Sequence, residues 1–408
     1  MALTIYNTPN SYAPVYNQMI YTLSSTNVAQ SNFRYIADIY VNGSSDYTRL
    51  EVGRNPSNNY GTFDVAGIIQ NFLTRDFEDN TTTFKQCGNS IASYIVQFGE
   101  QYGPSSGITN YPNLTTSSGY CFNGVFSPLD FLDFQTNTYV LENSSSQFLT
   151  DRPTFESRTG EKLILGFMTD AANEAYNLEV ISYYDEGTVF NTVRVQNPFT
   201  ALSNRQDRSI NVRVDYDWLT SLVNADLSFG TTPIFVINWE YYEVRIKNSA
   251  GTIVSETIRI YPGEDICSKY TPIRFKFMNN YGKYDYYTFT GAMTKNTNIK
   301  RNTYKSNPNQ WSGTNYRYSA TSRGLSQYET ILDDAITINS DWITEAESIW
   351  LEQLVTSPDV YIYDGSNLVS VNITDSSYQT KYEASQQLFN LVVSFTYSQN
   401  RKRQRRWF

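Results

Sequence analysis

The chain has 408 residues and a net charge of −9, with 17% charged residues, 34 tyrosines and no histidine. That length allows two or three domains with separate cores. The acidic balance argues against a general nucleic-acid binder, which needs a basic footprint; the lack of histidine removes Ser-His and Cys-His nucleophile pairs, His-based zinc sites and the commonest general base near neutral pH.

Tyrosine in place of charge gives large apolar area with a hydroxyl that can stay wet, a usage enriched at interfaces and also natural to a β-rich chain. Cys87, Cys121 and Cys267 are odd in number and lack CxxC spacing. They read as buried free thiols rather than a disulfide framework or a zinc site. No charged-then-apolar leader opens the sequence, and no apolar run nears the roughly 20 residues of a spanning helix. This is the pattern expected of a protein folded in a cytoplasm, where Asn-X-Ser/Thr matches such as Asn42-Gly43-Ser44 carry no meaning. Neither GxxxxGK[ST] nor a strand-to-helix GxGxxG is present, and Asp333-Asp334 alone is too little for a calcium loop.

Residues 1–145 read as an N-terminal β domain with a helix. Tyr35, Ala37, Ile39 and Val41 alternate, "NGSSD" turns, and Leu50 and Val52 return, which makes a hairpin. Over 64–73 the period becomes helical, with Asp64 as N-cap and Val65, Ile68, Ile69 and Phe72 on one face. "SYIVQFGEQYG" is a strand leading into a long uncharged loop from Gly103 to Gly119, rich in Ser, Thr and Gly. "SPLDFLDF" places Ser127 at the N-cap and Pro128 at the first position of a short helix. A Ser/Asn-rich break at "ENSSSQ" marks the boundary with a middle β-sandwich-like domain, 146–268. "EKLILGFMTD", "YNLEVISYYDEGTVFNTVRV" and "YYEVRIKNSAGTIVSETIRIYPG" supply its strands. A helix over 215–224 interrupts it, with Trp218, Leu219, Leu222 and Val223 at helical spacing.

Residues 269–408 form a C-terminal β domain with one amphipathic helix and a basic tail. It opens on the hairpin "RFKFMNNYGKYDYYTF", Arg274 to Phe289. Phe275 and Phe277, then Tyr287 and Phe289, alternate around Asn279-Asn280-Tyr281-Gly282, residues that tolerate positive φ. The segment from Thr294 to Arg323 carries Lys295, Lys300, Arg301, Lys305, Arg317 and Arg323 among polar residues and reads as a long exposed loop or arm. The strongest helical pattern covers 341–355. Trp342, Ala346, Ile349, Trp350 and Leu354 share a face, Ser340 or Asp341 caps it, and Pro358 stops it. "DVYIYDGSNLVSVNIT" is a hairpin around Asp364-Gly365, and "QLFNLVVSFTYS" is the closing strand. No fixed-period repeat is present. The fold class that follows is mainly β: two to three antiparallel β-sandwich-like domains with a few short helices.

Carboxylate chemistry survives the lack of histidine, since glycoside hydrolysis needs only two acids at the right separation. Glu100, Asp130, Asp133, Asp217 and Glu240 are candidates, each with an ordinary reading as a cap or strand-edge charge. No catalytic, cofactor or metal site stands out. Interfaces do. Tyr304, Trp311, Tyr316 and Tyr318 read as apolar anchors of the 294–323 segment. At the C-terminus, Arg401, Lys402, Arg403, Arg405 and Arg406 are suited to pair with carboxylates around a partner's pocket. Trp407 and Phe408 would fill that pocket, since exposure costs each about 1.5–3 kcal/mol relative to burial. The rest of the chain carries −9 − 5 = −14, so a second copy is as good a partner as a foreign one, and DNA is a poorer one.

"FLTDRP" (Phe148 to Pro153), "RFKFMNNYGKYDYYTF", and "WLEQLVTSPDVYIYDG" running into "LVSVNITDSSY" resemble blocks found in this order in certain virion structural proteins. These belong to tailed bacteriophages of Bacteroidota hosts, crAss-like phages among them. "YIADIYVNG" and "YGTFDVAGIIQNFL" fit the same pattern, so the resemblance spans most of the chain. It departs at Tyr281-Gly282-Lys283, where relatives tend to show a Gly-Gly turn. The resemblance implies a multi-copy subunit of the tail, baseplate or neck, neither an enzyme nor membrane-bound. It would assemble as a homo-oligomeric ring or sleeve with portal, tail or fibre proteins as neighbours. The alternatives are a secreted glycan-binding protein with tyrosines as stacking platforms and, less favoured, a phage-borne depolymerase.

Overall fold

The computed structural model describes residues 3–77, 79, 81–170, 176–184, 187–199, 205–225, 234–235, 238–263, 270–318, 320–321, 323–365, 367–375 and 388–402. Cys267 and the tail residues 403–408 lie outside them. The fold is mainly β, with antiparallel and mixed sheets and a few short helices. The chain divides into two compact units, Met1–Asp265 with Met278–Asp285, and Ile266–Phe277 with Tyr286–Phe408.

Four sheets build the first unit. Leu3–Asn7 (β1), Ile20–Ser25 (β3) and Gly61–Asp64 (β6) form one, in the order β1-β3-β6. Tyr12–Pro14 (β2), Arg34–Val41 (β4), Tyr47–Gly53 (β5), Ile91–Tyr102 (β8) and Thr109–Phe122 (β9) form the second, in the order β2-β9-β8-β4-β5. The third joins Phe84–Gln86 (β7), Val140–Leu141 (β10), Ile164–Thr169 (β12) and Ser209–Arg213 (β15) as β10-β12-β15-β7. Because β7 pairs with β15, this sheet takes strands from both sides of the break at "ENSSSQ". The fourth, β11-β17-β16-β13-β14, uses Phe155–Ser157 (β11), Asn177–Tyr184 (β13), Thr188–Gln196 (β14), Tyr241–Lys247 (β16) and Ile258–Pro262 (β17). One core gathers Tyr35, Val65, Ile69 and Phe98, and another Phe148, Phe167, Tyr176 and Tyr242. Cys87 and Cys121 are buried free thiols.

Two expectations in this unit are corrected. The 64–73 helix is shorter, Ala66–Ile69 (α1) followed by a 3₁₀ turn, Gln70–Phe72. Asp64 accepts from the backbone N–H groups of Met19 and Ala66. Phe72 is 49% exposed, and Leu73 is buried in its place, since the tighter turn rotates the face by a residue. The Gly103–Gly119 stretch is not a long loop either. Thr109–Phe122 is strand β9, and its backbone pairs with β8 along nearly its whole length. A bulge between Phe98 and Glu100 takes up Pro112, and a Cβ on Gly99 would stand 2.4 Å from the Tyr111 carbonyl oxygen. The ladder needs backbone groups rather than apolar side chains, so Ser, Thr and Gly can fill an exposed strand.

Pro128–Leu132 (α2) starts as expected, the Ser127 hydroxyl accepting from the Asp130 N–H. Thr136–Tyr139 (α3) follows it. Tyr216–Ala225 (α4) buries Leu219, while Asp215 accepts from the Trp218 N–H at 3.0 Å.

In the second unit, the hairpin strands Ile273–Met278 (β18) and Tyr284–Phe289 (β19) join a sheet with Met293–Lys305 (β20), Leu325–Thr344 (β23), Val360–Asp364 (β24), Asn367–Ile373 (β25) and Leu388–Tyr397 (β26). The order is β19-β18-β24-β25-β26-β23-β20, with Arg401–Lys402 (β27) paired to β23. Asn309–Ser312 (β21) and Asn315–Tyr318 (β22) pair with each other and, among the described residues, with no other strand. Phe275, Phe277, Phe395 and Val393 are buried against the helix Glu345–Thr356 (α5) through Trp350, Leu351 and Leu354.

The start and face of α5 differ from the expectation. Its N-cap is Thr344, whose hydroxyl accepts from the Glu347 N–H while the Glu347 carboxylate accepts from the Thr344 N–H, a capping box. Ser340 and Asp341 lie in β23, as does Trp342, which is 66% exposed; Ile349 and Ala346 also face outward. Ser348, Trp350, Leu351, Gln353 and Leu354 are the inward residues.

Candidate functional site

Two features stand out: the turn of the Arg274–Phe289 hairpin with the cleft beside it, and the long hairpin that follows. In the turn, the Gly282 N–H donates to the Asn279 carbonyl at 3.0 Å and the Asn279 N–H to the Lys283 carbonyl at 2.8 Å. Gly282 has φ +71°, the left-handed residue of a three-residue hairpin loop. The asparagines do not take positive φ. Asn279 works through its side chain instead. Its Oδ1 accepts from the Tyr281 and Lys283 N–H groups and its Nδ2 donates to the Leu149 carbonyl at 2.9 Å.

The partners of this turn come from "FLTDRP". Leu149 receives Asn279, the Thr150 hydroxyl donates to Asp285 at 2.9 Å, and the Tyr281 hydroxyl donates to Asp151 at 2.5 Å. Two of the quoted blocks therefore meet in space within the first unit. Burial, and then the negative charge of Asp151, push the Tyr281 phenol well above its ordinary range, so it stays a hydrogen-bond donor. Lys283 is buried, with Nζ 2.7 Å from the Ser209 hydroxyl.

Beside the turn opens a cleft of about 390 Å³. Phe126, Phe134, Tyr139 and Tyr281 line it, with neighbouring ring centroids 5.1–5.7 Å apart. Asp130, Asp133 and Asp151 stand at it as exposed carboxylates, and among the described residues no lysine or arginine lines it. Asp130 accepts from the Ser127 hydroxyl at 2.6 Å, which fixes it on α2. Rings with the exposed Asp130 and Asp133 carboxylates beside them suit a cation or an amphipathic side chain. The volume is at the small end of the roughly 300–1,000 Å³ of ligand pockets.

The Thr294–Arg323 segment is not a loop. β20 pairs with β23 from Met293↔Ile338 to Lys305↔Leu325, with one register shift between Asn302 and Thr303, and the hairpin β21–β22 continues beyond it. Between Leu325 and Thr330, β23 has β20 as its one partner among the described residues. The result is a two-stranded arm. Trp311 is 72% exposed and Tyr318 63%, with Tyr316, Ile299, Leu325 and Tyr328 also open. Tyr304 differs from the other proposed anchors in being half-buried, its ring 6.2 Å from Tyr328. Trp311 and Tyr316 pair across the tip at 5.0 Å. From Ile299 to Leu325 the sequence has Lys300, Arg301, Lys305, Arg317 and Arg323 and no acid.

Of the other sequence candidates, Glu100 is buried and accepts from Asn27 at 2.8 Å. Asp217 accepts from the Gly160 N–H at 2.5 Å, and Glu240 from the Gly187 N–H at 3.3 Å. Only Asp130 and Asp133 come together, and Asp151 joins them without a local signal, because its place depends on Tyr281. Arg401 and Lys402 are strand residues beside β23, with Lys402 Nζ 4.0 Å from Glu329; Arg403, Arg405, Arg406, Trp407 and Phe408 lie outside the described residues. Among the described residues no group of three or more Asp, Glu, Cys or His side chains is arranged to hold a metal, and no helix is long and apolar enough to cross a membrane. Compared with known proteins, the chain matches no family model and no curated sequence.

Proposed function

We propose that this chain is a structural subunit of a tailed-bacteriophage virion, a homo-oligomeric ring or sleeve component of the tail, baseplate or neck that acts through protein–protein interfaces. The observation that carries the reading is the arm. A two-stranded ribbon is marginal in water by itself, and this one holds Trp311, Tyr316 and Tyr318 open to solvent. Aromatic side chains each gain about 1.5–3 kcal/mol on burial, so a neighbour that covers the tip stabilises both arm and assembly. The blocks quoted from the sequence supply the virion context. Further copies of the chain and portal, tail or fibre proteins are the neighbours this reading expects.

Mass spectrometry of purified particles, with native mass spectrometry of the isolated protein, tests it. The expected result is a multi-copy particle component that forms closed oligomers, with assembly lost when residues 296–320 are deleted. Absence from purified particles, or unchanged assembly after the deletion, would overturn the reading. Hydrolysis of a host polysaccharide that disappears in Asp130→Asn or Asp133→Asn would assign a depolymerase instead.

A further inference from the structure

We propose that the arm of one copy docks on the first unit of a second copy, its Trp311–Tyr318 tip entering the cleft formed by Phe126, Phe134, Tyr139 and Tyr281. The inference rests on the subunit reading and adds the identity of the partner and the sense of the contact. Its first basis is shape and chemistry. The tip projects an aromatic pair, Trp311 and Tyr316, with Arg317 between exposed tyrosines. The cleft offers ring surfaces with Asp130, Asp133 and Asp151 around them and is of side-chain size, about 390 Å³. An arginine set over aromatic faces and paired with carboxylates satisfies both kinds of group at once.

The second basis is charge. The first unit holds 16 Lys/Arg against 29 Asp/Glu, a net of −13, whereas the second holds 15 against 11, a net of +4. The arm between Ile299 and Leu325 contributes five positive charges and no negative one. Lys300, Arg301, Lys305, Arg317 and Arg323 make no ion pair among the described residues. Two arms facing each other would set positive against positive, and two clefts negative against negative. Only arm to cleft joins unlike charges, so the contact sets arm against cleft, exchanged reciprocally in a two-fold pair or repeated head to tail in a ring or filament. Opposite charge also speeds encounter, in a way that added salt suppresses.

The test uses the full chain in two variants, Trp311→Ala with a damaged arm and Asp130→Asn/Asp133→Asn with a damaged cleft. All three positions are exposed, and an unchanged far-UV circular dichroism spectrum verifies folding. Sedimentation velocity should show each variant alone associating at least ~10-fold more weakly than the parent, a loss of about 1.4 kcal/mol. A mixture of the two should give discrete heterodimers, because one intact arm meets one intact cleft and growth then stops. If only Trp311→Ala weakens association, the arm docks elsewhere: the subunit reading survives and this inference falls. Full association in both variants overturns it too, and a parent chain that stays monomeric at every concentration overturns the subunit reading itself. If the cleft instead binds oligosaccharides, with loss in Asp130→Asn/Asp133→Asn and oligomers unchanged, its occupant is a glycan and the inference fails.

Discussion

The tips at "NNYGK" and "GTNYR" use nearly the same residues (Asn, Tyr, Gly and one cation) and meet opposite fates. Tyr281 is 4% exposed with its hydroxyl bound, whereas Tyr316 is 45% exposed. Both close a hairpin on a glycine with positive φ, Gly282 and Gly313, so turn chemistry alone settles neither fate. What differs is the surroundings. The first tip meets Leu149, Asp151 and Asn123 of its own unit, and the second presents its side chains to solvent. Local sequence specifies that a chain reverses; burial depends on what stands opposite.

The comparison breaks most sharply at Gly282. A Cβ there would lie 2.0 Å from the Asn123 carbonyl oxygen, at φ +71°. The left-handed conformation costs about 1–2 kcal/mol and the overpacking another ~1–3 kcal/mol. Gly282→Ala should therefore destabilise the first unit by roughly 3 kcal/mol in urea denaturation. Gly313→Ala at the exposed tip, with nothing within 4 Å of its Cβ, should cost only the conformational part.

Acid should separate the two units next. Glu179 is buried on the β13 face with Arg194 at 2.9 Å, Arg245 at 2.6 Å and Lys247 at 2.9 Å. Burial by itself would raise its pKa, but the hydrogen bonds from Lys247, Arg245 and Arg194 outweigh that and hold it at about 2, below the usual 4.5. A folded-state pKa below the unfolded one lends stability that is complete above pH ~4.5 and drains as pH falls toward 2, up to about 3 kcal/mol. Hydrogen exchange across that window should show β13, β14 and β16 losing protection, and Glu179→Gln should flatten the dependence.

Asn279→Ala comes third. It leaves the Leu149 carbonyl and two turn N–H groups without their partner, worth about 1–3 kcal/mol, and should loosen the turn in exchange experiments while β20 and β23 keep their protection. The smallest effect belongs to Trp311→Ala: as a change at an exposed site it should alter monomer stability by less than about 0.5 kcal/mol. A melting shift of several degrees would show that the tip is packed within its own chain after all.

Much of the strand content was open to sequence reading because alternation records which side of a sheet is dry. Tyr35, Ala37 and Val41 are buried as their spacing requires, and so are Phe275 and Phe277, but Ile36, Asp38 and Lys276 between them are buried too, which alternation did not announce. The Thr344–Glu347 capping box was equally legible from S/T-x-x-E spacing, yet the large Trp342 drew the helix start too early. β9 and β20 read as loops because their Ser, Thr, Asn and Lys side chains carry no apolar period. Asp151 had no signal of its own. It and Tyr281 are separated by 130 positions, and nothing local to either announces the other.

By itself, then, the sequence determined the β-rich class, the turns at Asn279–Gly282 and Asp364-Gly365, the Ser127 cap and the opposition of an acidic body to a basic arm and tail. Each is a property of spacing, residue type or count within a short stretch. Tertiary structure alone decided that β7 pairs with β15 across the expected boundary, that polar stretches become β9 and β20, and that Tyr281 closes a cleft with Asp151 while Trp311 stays open. Backbone ladders form between any residues whose N–H and C=O groups can meet, and burial depends on partners distant in the chain. Neither leaves a pattern in one segment read alone.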